Sequence, residues 1–271
     1  MSRNFDLMQR AGKAWEVAPA VSPKTETAQH VAVPQQPAQP APQIVRTEKW
    51  ASSSMPRGVE DLDQLAREES LRLVQRIFLL HSQQSPRAVV FAGIDHGNGC
   101  SRICTQAAEA LQAHIQGSVC LVDANLRHPS LHEQFSAENQ QGLSDALMKP
   151  DPVRGFATNL GRQNLWLVSS GSNPEGAQNM LSTDRMRLRM SELRAEFDYV
   201  LFDVAALGEA NDAMLVSGSS DGVVMVLKAN TSRRESARKA VEELQSTKAR
   251  VLGAVLNQRT FPIPDSIYKK L

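Results

Sequence analysis

Apolar and polar positions follow two periods along this chain. Short unbroken apolar runs recur at residues 89–92, 119–123, 165–168, 199–203, 222–228 and 251–257. Runs of this length predict strands buried on both faces. Between them the pattern switches to the 3.6-residue period of helices. Helices are expected over 60–80, with Leu71, Val74 and Phe78 on one stripe, and over 101–111, with Ile103, Ala107, Ala110 and Leu111 along one side. A helix or turn is expected from 127 to 135, a short helix over 142–147, and amphipathic helices over 184–194 and 233–247. Strands alternating with helices predict an α/β fold, a doubly wound, mostly parallel sheet flanked by helices. Ligands of such sheets bind beyond the carboxyl ends of the strands. Asp123, Asp203, Asn257 and the turn Gly97-Asn98-Gly99 should gather there.

Residues 1–60 lack both periods. They carry seven of the 14 prolines among Gln, Ala, Val and Thr, and the stretch 33–42 cannot bury enough apolar surface to offset its ordering entropy. They are expected to form a disordered extension, with residues 61–271 as the folded domain. At its start, residues 4–15 fit a short docking helix with Asn4 as N-cap and Phe5, Met8 and Trp15 sharing a face. Trp50 has no role in this reading.

Charge and composition narrow the field. A net charge of +1 with 22% charged residues does not mark a nucleic-acid binder, and 5% aromatics supply no base-stacking platform. Three cysteines and no apolar leader point to a reduced, cytoplasmic setting. No stretch reaches the roughly 18–20 apolar residues of a membrane span, so contact with a membrane would run through a partner.

Chemistry is expected where the first strand meets its helix. A strand, a glycine turn and a helix N-terminus aim backbone N–H groups and a positive dipole end at a phosphate. The full phosphate-loop pattern is G-x-x-x-x-G-K-[ST]. Gly99 and Ser101 match it, while Ile94 stands at the first glycine and Cys100 at the lysine. Magnesium held on a phosphate takes carboxylate, hydroxyl and water oxygens. Ser101 with the strand-terminal Asp123 and Asp203 would supply them. Cys100 at a helix N-terminus is expected to have a lowered thiol pKa and to oxidise readily. His96, Cys100 and Cys104 fall at spacings of four, but His96 precedes the helix and Cys104 faces its core side, which argues against a shared metal.

Residues from about 68 to 260 resemble the bacterial tyrosine kinase (BY-kinase) family of capsule and exopolysaccharide synthesis, P-loop proteins related to partition-type ATPases. The resemblance lies in Cys120-Leu-Val-Asp-Ala-Asn-Leu-Arg-His-Pro-Ser-Leu-His132, which is similar to an acidic motif Asp-x-Asp-x-Arg-x-Pro, and in Gly142-Leu-Ser-Asp-Ala-Leu147. Glu196-Phe-Asp-Tyr-Val-Leu-Phe-Asp203 resembles the family's Walker B strand, and Leu252-Gly-Ala-Val-Leu-Asn257 the strand whose Asn approaches adenine. Glu69-Ser-Leu-Arg72 resembles an oligomer-forming helix motif, with Gln75 at its second Arg. The resemblance implies ATP and Mg2+ as cofactors. It implies Asp123 and Asp203 as catalytic residues, magnesium on Ser101, Asp123 and Asp203, and nucleotide contacts from Gly97, Asn98, Gly99, Cys100, Ser101, Arg102, Asn125, Arg127 and Asn257. It also implies a homo-oligomer, and as partner a membrane polysaccharide chain-length protein or a paralogous kinase.

The departures point to a degenerate kinase. Cys100 replaces the loop lysine, Asn125 the second acidic residue, and Ala205-Ala206 the usual Pro-Pro. Instead of a terminal tyrosine cluster there are two tyrosines, Tyr199 in a strand and Tyr268, the phosphoacceptor candidate. Arg102 and Arg127 are the candidates to replace the missing charge. Three readings stay open: a regulatory pseudokinase recruited to the inner face of the membrane, an active tyrosine autokinase with an unorthodox loop, and a partition-type positioning ATPase. The last is disfavoured by the missing loop lysines and the lack of a basic amphipathic helix.

Overall fold

The computed structural model describes residues 59–80, 85–161, 164–172 and 176–258. The docking helix expected at 4–15, the rest of the chain up to residue 58, and Tyr268 lie outside the described residues. Helix α1 (Val59–Val74) runs into a π-helical turn, Gln75–Leu79, closed by Leu80 N–H donating to the Gln75 carbonyl at 2.9 Å. The wider turn sets Ile77 and Phe78 beside Val74 in the core, with Phe78 edge-on to Tyr199 at 5.7 Å.

There follow β1 (Ala88–Gly93), α2 (Cys100–His114), β2 (Val119–Asp123), α3 (Leu131–Gln134), α4 (Leu143–Met148), β3 (Thr158–Asn159) and β4 (Leu165–Val168). After β4 come α5 (Asp184–Glu196), β5 (Tyr199–Val204), α6 (Asp212–Ser217), β6 (Gly222–Lys228), α7 (Arg234–Ser246) and β7 (Val251–Asn257). The seven strands form one sheet in the order β3-β4-β2-β5-β1-β6-β7, parallel throughout except for β3 against β4. Among the described residues, no helix is long and apolar enough to cross a membrane.

Strand alternation divides the interior into two cores. Ala88, Val90 and Ala92 of β1 and Cys120 and Val122 of β2 face α4, α5, α6 and α7. Val89, Phe91, Val119 and Leu121 face α1, α2 and α3. The central strands are therefore covered on both faces, as their unbroken apolar runs require, whereas the edge strand β7, expected to be buried likewise, is only half-buried, with Leu256 57% exposed. β3 was absent from the hydrophobic pattern because Thr158 and Asn159 are both exposed. Helix α6 also escaped it, being six residues long and carrying apolar positions that suit a strand as well.

Helix α5 departs from an ordinary amphipathic helix. Arg189 lies among its buried residues at 1% exposure. Its guanidinium donates to the carbonyls of Ala146 (2.8 Å) and Lys149 and pairs with Glu192. Arg185 donates to the carbonyls of Leu147 (3.0 Å) and Met148 (3.3 Å). Two arginines thus serve the last carbonyls of α4, which have no partner within that short helix. At its other end, the Asp145 carboxylate accepts the N–H groups of Gly142 (3.2 Å) and Ser172 (2.9 Å) and the Ser172 hydroxyl (2.8 Å). A Cβ on Gly142 would collide with the Ser169 carbonyl and Gly171 N–H, so only glycine fits there.

Candidate functional site

The loop after β1 is pinned from several sides. Gly93 and Ile94 carbonyls accept Leu207 N–H (2.9 Å) and Gly208 N–H (3.0 Å) from the segment after β5. Asn98, 2% exposed, donates its amide to the Val226 carbonyl at 2.9 Å, and its own carbonyl accepts the Asn257 amide at 2.8 Å. Gly97 and Gly99 adopt left-handed φ values of 75° and 76°, and a Cβ on Gly99 would stand 2.5 Å from the Asn257 amide nitrogen. Glycine is required there twice over. Among the described residues no side chain caps α2. Its first N–H groups and positive dipole end therefore face the mouth of the loop, the arrangement that receives an anion.

Asp123 and Asp203 sit opposite each other in register at the ends of β2 and β5. They are 0% and 1% exposed, and their surroundings differ. Asp123 accepts N–H groups from Ser130 and Leu131 (both 3.0 Å) and from Asn125 (3.3 Å), so it also anchors the start of α3. Burial raises its pKa to about 6, against the pull of those N–H groups and of His132. Neither oxygen of Asp203 has a hydrogen bond of ordinary geometry. Burial and the Asp123 charge lift its pKa to about 7, although the nearby Ser101 hydroxyl and Cys100 thiol favour the anion. A buried carboxylate in this state takes a proton or a cation. The neighbouring donors, Ser101 and Asp123, are hard oxygens of the kind magnesium prefers, so the residues present fit that ion.

Cys100 is not the activated thiol its helix position suggested. Burial and the Asp203 charge push its pKa well above the ordinary value, with Cys104 adding to them and only a backbone hydrogen bond with Gly93 pulling the other way. Neither arginine offered as a substitute for the lysine serves the loop. Arg127 commits its Nε to Asp212 at 3.0 Å, and Arg102 lines a groove of about 520 Å³ on the outer face of α2 with Thr105, Gln106, Gln134 and Phe135. Asn125 accepts His128 N–H at 3.1 Å and so shapes its own loop. The Asn257 amide, expected to approach adenine, is spent on the glycine loop. Glu69 and Arg72 form an exposed ion pair at 2.6 Å on α1. Asp212, Asp145 and Arg189 were missed, because their roles depend on neighbours distant in sequence.

Tyrosine-protein kinase YwqD of Bacillus subtilis (strain 168) is 32% identical over 139 residues, which cover 51% of this chain and 59% of that protein. The chain therefore spans little more than half the length of this curated relative. The kinase domain of Escherichia coli tyrosine kinase ETK superposes with a TM-score of 0.64 at 20% identity, covering 72% of this chain and 78% of that one. The septum site-determining protein MinD of Pyrococcus horikoshii OT3, solved with Mg-ADP, gives 0.55 at 18% identity over 68% and 76%. At these identities the structural likenesses speak to the fold alone, which is the one these two proteins share. A family model described as cellulose biosynthesis protein BcsQ matches residues 87–244, the span from the glycine loop through both acidic strands to α7, and this chain belongs to that family.

Proposed function

We propose that this protein is a kinase-like regulatory component of exopolysaccharide synthesis, one that keeps the nucleotide-site scaffold and transfers phosphate poorly or not at all. Its partner would be a membrane chain-length or export protein, or a true kinase of the same fold. The observation that carries this reading is Cys100. Where the loop pattern places a lysine aimed at the β- and γ-phosphates, there is a thiol held protonated against Asp203. Arg127 is engaged elsewhere and Arg102 faces outward. A preorganised charge of that kind is worth several kcal/mol to a transition state. Neither of the two arginines that could compensate for its loss is turned to the loop.

Nucleotide binding is a separate matter from transfer. The open N-terminus of α2 would hold phosphate oxygens, and Ser101, Asp203 and Asp123 would hold magnesium. When bound, the ion would neutralise the phosphates and the carboxylate pair together. This preserved acidic pair is what favours the second reading, a slow autokinase acting on Tyr268.

Calorimetry with MgATP on the wild type and on Cys100→Lys, followed by phosphotransfer assays on both, tests the proposal. The expected result is weak binding by the wild type, binding at least tenfold tighter by Cys100→Lys, and no tyrosine phosphorylation in the wild type above an Asp203→Asn control. Tyrosine phosphorylation by the wild type that Asp203→Asn abolishes would establish the autokinase instead.

A further inference from the structure

Three loops leave the carboxyl edge of the sheet near one another. The loop after β1 carries His96, the loop after β2 carries His128, and the segment after β5 carries Glu209. All three side chains are exposed, and one ligating atom of each lies within 4.8 Å of the others. His96 Nδ1 stands 3.4 Å from Glu209 Oε1, and the two imidazoles meet edge to face with centroids 5.2 Å apart.

These separations suit a metal. Two ligands held tetrahedrally at 2.0–2.1 Å from zinc lie about 3.3 Å apart, which the His96–Glu209 pair already matches. The third ligand needs a shift of roughly an ångström, within reach of exposed side-chain torsions. The backbone beneath each residue is fixed. Asn98 anchors the first loop, the Asn125 side chain holds His128 N–H, and Glu209 N–H donates to the Ala206 carbonyl at 2.9 Å.

We infer that His96, His128 and Glu209 form a two-histidine, one-carboxylate site for a first-row divalent cation of the zinc class. Its donor set differs from the all-oxygen pair at Asp123 and Asp203. Two imidazoles favour zinc, cobalt or nickel over magnesium, and three protein ligands leave a position open for water or an oxygen ligand. A bound cation would tie the glycine loop to the loops after β2 and β5, and would place positive charge four residues before Cys100. The site does not depend on nucleotide binding, so it stands or falls separately from the proposed function.

The test is titration of the chelator-treated full chain with Zn2+, and with Co2+ as a spectroscopic probe. One Zn2+ per chain should bind in the presence of excess Mg2+. The Co2+ form should show ligand-field bands without thiolate charge transfer. His128→Ala and Glu209→Gln should each weaken binding by more than about 100-fold, beyond the 10–100-fold typical of outer-shell changes, while circular dichroism stays unchanged and His114→Ala has no effect. Absence of stoichiometric binding would overturn the inference. So would binding that survives both substitutions, or a thiolate band showing that cysteines are the ligands.

Discussion

Asp145 and Asp203 are 6% and 1% exposed, and the protein treats them in opposite ways. Around Asp145 the chain supplies two N–H groups, a hydroxyl and the Lys149 ammonium at 3.7 Å. Burial alone would raise its pKa, but the Ser172 and Gly142 donors and Lys149 outweigh burial and bring it below the usual carboxylate range. Around Asp203 the described residues supply no hydrogen bond of ordinary geometry and a second carboxylate in register, and the pKa rises to about 7. A buried acid given every donor it can use is holding the fold together. One left short takes a proton or a cation to make up the difference.

This contrast can be broken by substitution. Asp145→Ala should cost about 3 kcal/mol, since it leaves three donors without their acceptor. Asp203→Asn should cost nothing measurable, and above pH 7 it should stabilise the protein. Urea denaturation of both variants decides the matter, and equal losses would erase the distinction.

The pH dependence should separate the two next. An unfolded Asp releases its proton near pH 3.9, whereas folded Asp203 keeps it to about 7. Between those values the folded state binds more protons, so stability falls as pH rises through the window, by roughly 2–4 kcal/mol in all. Asp145 runs the other way. Its contribution is present above the unfolded pKa and is lost as pH falls through the lower folded value. Melting temperature followed from pH 5 to 8.5 should decline in the wild type and recover on adding Mg2+, whereas Asp203→Asn should keep only the part of the decline below about pH 6 that Asp123 contributes.

Smaller effects follow at the site's edges. Cys100 should alkylate at pH 7 at least about tenfold more slowly than a free thiol, because little of it is thiolate. Asp203→Asn should speed that reaction by removing the charge that opposes ionisation. The exposed Glu69–Arg72 pair serves as a control for both buried acids. Replacing either residue should change monomer stability by less than about 0.5 kcal/mol, and sedimentation would reveal any separate effect on assembly.

What was legible in the sequence was what local pattern encodes. Six strands announce themselves as apolar runs, and Gly97, Gly99, Asp123 and Asp203 arrive at one edge because parallel strands deliver their carboxyl ends there. What was hidden depends on partners far along the chain. Helix position argued for a reactive Cys100, and burial, together with a carboxylate from β5, reversed it. The sequence marks residues 184–194 only as an amphipathic helix, and nothing local signals that the bare carbonyls of α4 draw Arg189 inside. His96 with Cys100 and Cys104 looked like metal spacing along one segment, while the geometric cluster pairs His96 with His128 and Glu209 from other loops.

The strand order has a consequence for how the chain reaches its folded state. β1 and β2 are consecutive in sequence but do not pair, since β5 lies between them and β6 flanks the other side of β1. During synthesis both apolar strands must wait with open edges until residues near 200 have been made. Pairings across such long separations are slow to form and expose surface prone to aggregation. Asp203 arrives on the strand that closes this gap, so the acidic pair is completed in the same step that ends the chain's most vulnerable interval.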